Sequence, residues 1–570
     1  MRLWLAERAR SLWLAMDSNE RGAAVVRAMG AKGGIGIGLA VLLVIGAVGG
    51  WLLFASGDDH EDPIVVGVTD RADSLDPAYS YAAGSWDLYS NVFQSLLTLR
   101  AGSDTPVPDA AESCAFTDNA YQVYRCTLRD DLTFSSGREV TPEDVKFSVD
   151  RIQAMVQRAA DEREDDSIPE EEKFIYTGPG SLINGIEAVR VDGQDVIFEL
   201  AEPDVTFPYI LAGGAVSIVD REEYELDTPR DDGKAVGSGV YTLQEFRQVD
   251  DETGEAGIAV LEPNPNYRGA KEVSAYPVTL RYYTGPDTLQ EAWDDEEIHV
   301  VAGQLNPADI LAIDQNSQDI RYSEITGSAI RMIINSGQGD SPSAEAPVRR
   351  AVATLIDREA IARQVRLHTV ESAYSLIPVG VIGHGTPYYD LYGQMTPADV
   401  REELENEGYT LPIDLHLGFA GQVHAEEVDF IAETLEADGI FDVEVTEFPT
   451  VGGVLEAAAA NDVDSYFVGW NPDFADPDTY TSALLMEDSV LGHGWGTPEI
   501  DELIAETRGQ PQRANTMDTF REIHALAAEE AVVVPIWQNR NFTMSLREIT
   551  GIQQLRDAGG IFRLWELGRI

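Results

Sequence analysis

The sequence is poor in basic residues, and in lysine above all. Its 570 residues include 99 Asp and Glu but only 40 Lys and Arg, so the formal net charge is −59. Lysine occurs only at positions 32, 146, 173, 234 and 271. Because phosphate groups are bound by basic surfaces, nucleic acid is not an expected partner. The acidity is typical of a solvated protein surface, and a salty habitat favours such surfaces. For the ligand it indicates only a weak attraction for cationic solutes.

The sequence also lacks the motifs of common enzymes. It contains no G-x-S-x-G nucleophile elbow, no phosphate-binding loop, no H-E-x-x-H and no C-x-x-C, and its eight histidines show no metal-ligand spacing. Glycines at positions 34, 36 and 38 lie inside an apolar run with no strand before them, so they do not indicate a dinucleotide-binding loop. We therefore expect no covalent chemistry, no metal ion and no cofactor.

One long apolar run lies near the N-terminus. Gly33 to Phe54 contains no charged residue, and its 22 residues would form a helix of about 33 Å, enough to cross a hydrocarbon core of about 30 Å. Basic residues precede the run and acidic residues follow it, so residues 1–32 should be cytoplasmic and the C-terminal region extracellular. We predict a single-pass protein of the cell membrane. The alternative is a signal peptide cut near Ala55-Ser56-Gly57, but the length of the run and of the segment before it favours a retained helix.

The chain has only two cysteines, Cys114 and Cys126. They flank the turn-like tetrad 117–120, and the runs on either side could pair as an antiparallel hairpin. Because an extracellular location permits disulfides, we predict that these two cysteines are linked. Two buried free thiols are the alternative, and no metal-site spacing is present.

The segment Leu128 to Ile152 contains the signals of a turn followed by a helix. A short β run ends at Phe134, and Thr141-Pro142-Glu143-Asp144 supplies an N-cap, a proline at the first helical position and acids in the first turn. The apolar face of the predicted helix comprises Val145, Val149, Ile152 and Val156. The acidic stretch 161–173 interrupts this pattern and is predicted to be an exposed loop.

Residues 413–470 alternate between strand and helix patterns. Apolar residues alternate with others from Ile413 to Phe419 and again from Phe441 to Val445, and a helical run from about Val423 to Ala437 lies between them. A second helical run precedes a strand that ends at Trp470. In α/β sheets ligands meet the loops at the carboxyl ends of strands, so residues 420–424 and 471–478 are candidate binding loops.

Several motifs follow one another in order along the chain. They are Ser74–Pro77, Leu128–Ile152, Gly237–Tyr241, Leu261–Tyr267, and Ala346–Ala351 with Ile356–Arg358. Each motif is weak by itself, but the collinear set resembles the family 5 extracellular solute-binding proteins, the oligopeptide and dipeptide receptors of ABC importers. The resemblance covers roughly Ile64 to the C-terminus. No cysteine follows the apolar run closely, so the lipid anchor of many family members is not expected here.

The resemblance implies an α/β, periplasmic-binding-protein-like fold of the large three-lobed type (class II), here behind an N-terminal transmembrane helix. Lobe I would be discontinuous and would comprise residues 63–98, 212–325 and 535–570. A small lobe II would comprise residues 99–211, and an α/β lobe III residues 326–534. Such receptors close their lobes around a solute and deliver it to the permease subunits of an ABC transporter.

The loop Gly469–Asp478 places an indole beside three carboxylates. In the peptide receptors the matching loop supplies the aspartate that receives the peptide's α-ammonium, and this position falls on Asp473. An anionic group beside an aromatic wall suits an ammonium group, so Trp470 and Asn471 are expected to line the same cleft. Asp476 and Asp478 are better explained as a turn and a helix cap. A Ca²⁺ site is a minor alternative, because no glycine-punctuated loop surrounds the three acids.

Weaker candidates lie in two other segments. The segment Tyr81–Trp86 matches the place where family members offer backbone groups to an extended peptide, so Ala83, Gly84, Ser85 and Trp86 are predicted to contact the ligand. His424 lies in the other strand-end loop, although a lone histidine is more often structural. Phe467 and Val468 stand where a basic residue would help to hold a ligand carboxylate, which argues against recognition of a free peptide C-terminus.

Together these patterns predict a membrane-anchored extracellular receptor that captures oligopeptides between closing lobes for an ABC permease. One alternative is the same receptor fold with a non-peptide solute, such as an oligosaccharide, a nickel complex or an antibiotic. A less favoured alternative, from a different class, is an envelope hydrolase that uses paired carboxylates. Fold resemblance does not choose between ligands.

Overall fold

The computed structural model describes residues 62–570 except 166, 170–171, 251–252, 273, 275, 422–423, 488, 490, 492 and 557–560. The predicted cytoplasmic segment 1–32 and transmembrane helix 33–54 lie outside the described residues. Within the described part of the chain, no helix is both long enough and apolar enough to cross a membrane.

The elements alternate between strands and helices along most of the chain. The strands are β1 (Ile64–Val68), β2 (Leu97–Leu99), β3 (Pro106–Pro108), β4 (Ala111–Phe116), β5 (Val123–Leu128), β6 (Ile186–Asp192), β7 (Asp195–Leu200), β8 (Tyr241–Arg247), β9 (Gly257–Pro263), β10 (Val278–Tyr282), β11 (Val300–Val301), β12 (Ile320–Asn335), β13 (Val370–Ser372), β14 (Ile413–Ala420), β15 (Phe441–Phe448), β16 (Ser465–Trp470), β17 (Val533–Leu546), β18 (Ile549–Thr550) and β19 (Gly568–Arg569). The α-helices are α1 (Ala83–Val92), α2 (Pro142–Glu164), α3 (Gly180–Ile183), α4 (Phe207–Ile210), α5 (Pro286–Asp294), α6 (Pro307–Ala312), α7 (Ala346–Leu355), α8 (Arg358–Ala360), α9 (Pro387–Tyr392), α10 (Pro397–Asn406), α11 (Ala425–Glu436), α12 (Val451–Ala459), α13 (Ser482–Leu485), α14 (Pro498–Arg508) and α15 (Met517–Glu530).

The largest sheet has eleven strands in the order β15-β14-β16-β12-β17-β11-β1-β10-β9-β8, with β13 paired to β17. Its two longest strands, β12 and β17, are antiparallel neighbours, and their register shifts near residues 326–330 and 331–332. Strands from predicted lobes I and III share this sheet, and β12 and β17 each cross a predicted lobe boundary. The lobe boundaries themselves stay a prediction.

The strand and helix alternation predicted for residues 413–470 is confirmed. β14, α11, β15, α12 and β16 follow in this order, and β14 pairs in parallel with both β15 and β16. Ile413, Leu415 and Leu417 of β14 are buried, because alternate side chains of a strand point to the same face. The loops after Ala420 and after Trp470 therefore leave the sheet at the same edge, where the two candidate binding loops were predicted.

A separate four-stranded sheet in the order β4-β5-β7-β6 lies within the predicted small lobe. β4 and β5 form an antiparallel hairpin in which Cys114 stands directly opposite Cys126. A disulfide joins the two residues. The predicted hairpin disulfide is therefore confirmed.

Helix α2 begins as predicted but differs in its later turns. Thr141 precedes it, and the Thr141 backbone N–H donates to the Asp144 carboxylate at 2.8 Å, which caps the first turn. Val145, Val149 and Ile152 are buried, as expected.

The predicted end of this apolar face is wrong. Val156 is 41% exposed, and Met155 is fully buried instead. The acidic stretch 161–173 is not entirely a loop either, because α2 continues to Glu164. An ion pair between Arg158 and Glu162 at 2.8 Å, one helical turn apart, stabilises this extension of the helix.

A buried ion pair joins two of the sequence motifs. Arg151, on α2, donates from Nη1 to Asp76 Oδ1 at 2.8 Å and from Nη2 to Asp76 Oδ2 at 2.7 Å, and both side chains are fully buried. Asp76 also accepts from the backbone N–H groups of Ala78 at 3.0 Å and Arg230 at 2.8 Å. Two hydrogen bonds therefore fix the turn Ser74–Pro77 to the long helix of the small lobe, and two backbone N–H groups complete the partners of the carboxylate.

Replacing Arg151 by leucine should lower the free energy of unfolding by about 3–5 kcal/mol, because Asp76 would remain as an unpaired buried charge. Urea-induced unfolding of the full chain, followed by circular dichroism, measures the change. Arg190→Leu is the matched control, since Arg190 is 67% exposed in its pair with Glu199 and its loss should cost about 1 kcal/mol or less. Equal destabilisation in the two variants would contradict the role of the buried pair.

Candidate ligand-binding site

A cavity of about 690 Å³ is lined by residues of α1, β12, β16 and β17 and of the loops around them. Most of the residues predicted to bind a ligand lie on its wall: Ala83, Trp86, His424, Trp470, Asn471 and Asp473. Gly84 and Ser85 are not among its lining residues. The structure therefore brings the two predicted strand-end loops and the start of α1 to one place, while ligand contact by each residue stays a prediction.

Asp473 lies in the loop after β16 and is only 8% exposed. Its Oδ1 accepts a hydrogen bond from the Tyr81 hydroxyl, and its Oδ2 accepts one from Thr479 Oγ1 at 3.4 Å. None of the described Lys or Arg side chains forms an ion pair with it. Burial raises the pKa of Asp473 to about 7, although the hydrogen bonds from Tyr81 and Thr479 lower it.

The loop that carries Asp473 is closed by Thr479. The Asp473 backbone N–H donates to Thr479 Oγ1 at 3.0 Å, and Trp470 Nε1 donates to the Thr479 carbonyl at 2.9 Å. Trp470 is buried and Asn471 is exposed, and both line the cavity next to Asp473. The tryptophan therefore has a structural role in the loop in addition to its predicted place on the cavity wall.

Tyr81 has no assigned role in the sequence-based prediction, although it contacts Asp473 directly. The two residues are 392 positions apart, so no local pattern could pair them. Burial, and then the charge of Asp473, raise the pKa of Tyr81, so its hydroxyl stays protonated and donates. The Tyr81 ring also packs edge-on against Trp86, with ring centroids 5.3 Å apart. Tyr81 thus connects the start of α1 to the Asp473 loop.

Gly84 and Ser85 face the turn that precedes α1. A Cβ on Gly84 would lie 2.5 Å from the Asp70 carbonyl oxygen, so the close backbone contact requires glycine. Ser85 is fully buried, and its Oγ donates to Asp73 Oδ1 at 2.7 Å. The small residues of this segment are therefore explained by packing between α1 and residues 70–73.

Asp476 and Asp478 are ion-paired, in agreement with the interpretation that they form a turn and cap. Asp476 pairs with Arg513 at 2.6 Å and accepts from the Asp478 backbone N–H at 2.9 Å. Asp478 pairs with Arg508 at 2.9 Å. In the described ranges, no group of three or more His, Cys, Asp or Glu side chains is arranged to hold a metal ion.

His424 immediately precedes α11, and its ring packs against Phe467 with centroids 5.4 Å apart. Burial, and then the nearby charges of Arg331 and Arg366, lower the pKa of His424 to about 3. The imidazole is therefore neutral at physiological pH and offers no charge to a ligand.

The cavity wall includes cations that the sequence-based prediction missed. Phe467 and Val468 are buried, as apolar residues of a central strand. However, Arg331 of β12 and Arg366 also line the cavity. The lack of a basic residue at positions 467 and 468 thus does not leave the cavity without a cation.

The sequence matches the family described as "Bacterial extracellular solute-binding proteins, family 5 Middle" over residues 105–490, which is more than half of the chain. The chain belongs to this family. Family 5 proteins are solute-binding receptors and not enzymes, so membership decides against the envelope hydrolase that the sequence left open.

A relative of this family 5 protein supports a place in an ABC transport system. The protein is 24% identical over 537 residues to a probable ABC transporter periplasmic-binding protein, SapA, of Escherichia coli K12. The match covers 90% of this chain and 94% of SapA. The two chains are thus similar over nearly their full lengths.

Solved structures confirm the α/β, periplasmic-binding-protein-like fold of the family 5 protein. The periplasmic binding protein DppA from Helicobacter pylori, in complex with the peptide STSA, is 17% identical with a TM-score of 0.73, covering 89% of this chain and 98% of DppA. NikA from Staphylococcus aureus, in complex with Ni(L-His)2, is 14% identical with a TM-score of 0.69, covering 90% of this chain and 100% of NikA. The shared fold therefore accompanies different ligands.

Proposed function

We propose that this family 5 protein captures peptides outside the cell by their α-ammonium group and delivers them to an ABC permease. The observation that carries this proposal is Asp473, a buried carboxylate on the cavity wall with hydroxyl partners only. A buried carboxylate without a cation is unfavourable, and an incoming ammonium group supplies the missing charge. The peptide complex of the Helicobacter pylori relative supports the same ligand class.

The surroundings of Asp473 suit an ammonium group in particular. Charge-assisted hydrogen bonds to Asp473 would hold the ammonium, and the face of the Trp470 indole, on the same cavity wall, would attract it further. An oligosaccharide brings no positive charge to this position. Ligand burial and closure of the lobes would then select the liganded state.

Ligand affinity should depend on pH through Asp473. In the free protein the carboxyl is largely protonated below its pKa of about 7, so a free-amine peptide should bind more tightly as the pH rises from 5 to 7. Above about pH 8 the peptide's own amine loses its proton, and affinity should fall again. Tyr81, Thr479 and Tyr480 are the side chains that face Asp473. Calorimetric titrations across this pH range measure how the affinity for the peptide changes.

Asp473→Asn should weaken binding of a free-amine peptide by roughly 30-fold or more, because one partner of a desolvated charge pair is lost. N-acetylated peptide should bind the wild type poorly for the same reason. Asp414→Asn, an exposed change on β14, is the matched control and should leave affinity unchanged. If acetylated and free peptides bind with equal affinity, the ligand is not held by its ammonium and a non-peptide solute becomes the leading candidate.

We further propose that residues 1–57 are retained and tether the receptor to the cell membrane, with the binding region outside. The uninterrupted apolar run Gly33–Phe54 and the basic residues before it support this topology. N-terminal sequencing of protein isolated from cell membranes should find the residues that precede the run. A mature N-terminus near Gly57 would show instead that the run is a cleaved signal.

A further inference from the structure

Most charged side chains on the cavity wall are compensated by a neighbour. Glu427 pairs with Arg366 at 2.7 Å, and Arg556 binds Asp87 with both Nη atoms and lies 4.0 Å from Asp70. Arg540 pairs with Glu324 at 2.8 Å and with Glu371 at 3.1 Å. Asp287 and Glu426 are exposed to solvent. Among the described residues of the wall, Asp473 and Arg331 are the two charged side chains that are shielded from solvent and have no ion-pair partner.

Arg331 stands at an irregular point of the large sheet. On β12, Arg331 stands opposite Gly469 of β16 on one side and opposite Trp537 of β17 on the other. The register between β12 and β17 shifts directly after Arg331. Such bulges redirect a side chain relative to the regular sheet. The guanidinium makes no hydrogen bond or ion pair with any described residue, and its Nη1 is buried.

Gly469 provides the space that the guanidinium occupies. A Cβ placed on Gly469 would lie 2.6 Å from Arg331 Cζ and 2.9 Å from Arg331 Nε, so any larger residue would displace the arginine. Gly469 immediately precedes Trp470, on the strand whose following loop carries Asp473. The unpaired cation and the unpaired anion therefore lie along the same part of the cavity wall.

The surroundings do not neutralise Arg331. Burial, and then the like charge of Arg366, lower its pKa to about 10, so it stays protonated at physiological pH. Asp70 and Glu427 oppose this shift but form their ion pairs with other arginines. A partly buried cation without a partner is unfavourable, and an anionic ligand group would supply the missing charge.

We propose that Arg331 binds a carboxylate of the ligand, so that the cavity recognises a zwitterion held between Asp473 and Arg331. This inference deepens the proposed function and rests on it for the ammonium end of the ligand. The carboxylate is either the peptide's C-terminal group or an acidic side chain, since both offer the planar pair of oxygens that a guanidinium matches.

The spacing limits the length of a ligand held by its two termini. Gly469 and Asp473 are four residues apart, and a chain spans at most about 3.6 Å per residue, so their Cα atoms are separated by no more than about 14 Å. An extended peptide of about four residues covers the same distance. Longer peptides would therefore reach Arg331 only through an acidic side chain.

Calorimetry with matched peptides tests the role of Arg331. The probes are Ala-Ala-Ala, its C-terminal amide, and Ala-Asp-Ala amide. The wild type should bind the amide at least about 30-fold more weakly than the free acid, and recovery of affinity by the aspartate peptide would show that a side-chain carboxylate can replace the C-terminal one. In Arg331→Met the difference between acid and amide should fall below about threefold. Arg321→Met, on the same strand and outside the cavity, should keep the wild-type difference.

Two results would overturn the assignment. One is equal binding of acid, amide and aspartate peptides by the wild type, as expected if Glu427 Oε2, which also lacks a partner, turns to neutralise Arg331. The other is an unchanged preference for the acid in Arg331→Met. N-acetyl-Ala-Ala-Ala is the fourth probe, and a preference for the free amine over this peptide would show that the proposed ammonium site stands even though the Arg331 site does not.

Mass spectrometry of small molecules that co-purify with the full chain decides the question if none of these peptides binds. The compound recovered from the wild type should carry a carboxylate and should be lost or strongly reduced in Arg331→Met. A carboxylate-bearing compound other than a peptide would support Arg331 while refuting the peptide proposal. A recovered compound without an anionic group would refute the role of Arg331.

Discussion

The buried ion pair between Asp76 and Arg151 fixes the segment from which one side of the cavity is built. Both oxygens of the Asp76 carboxylate are used, by the guanidinium and by backbone N–H groups, so the desolvation of the two charges is well compensated. Tyr89 of α1 donates to the carbonyl groups of Ser74 and Asp76 at 2.9 Å. The start of α1 is therefore held in place, and Tyr81 is held within reach of Asp473.

The sequence predicts features that depend on near neighbours in the chain. The alternation of β14, the cap of α2 and the cysteine hairpin are local patterns, and a strand-end loop together with the family resemblance singled out Asp473 as a candidate. Arg331 could not be found in this way, because its environment is created by strand pairing with Gly469 and by a register shift against β17. Val156 was assigned wrongly because a helix has about 3.6 residues per turn, so positions three and four residues after Ile152 both continue its apolar face, and the structure buries the nearer one, Met155.

The acidity of the chain does not extend to its cavity. Although the net charge is −59, the shielded carboxylates of the wall other than Asp473 are paired with arginine. All the cations that line the cavity in the described ranges are arginines, among them Arg331, Arg366 and Arg556. The planar fork of arginine binds a carboxylate through two parallel hydrogen bonds, which the ammonium group of lysine does not. The cavity therefore has cations suited to binding a carboxylate although the chain contains almost no lysine.

The contact between Gly469 and Arg331 also constrains how the receptor can diverge. The guanidinium occupies the volume where any other residue at position 469 would place its Cβ, so a side chain at this position would move the guanidinium from its present place on the cavity wall. Among relatives, a side chain at the position of Gly469 should accompany a short or neutral residue at the position of Arg331. A paired substitution of this kind would mark the branches of the family in which the selectivity of the cavity has changed.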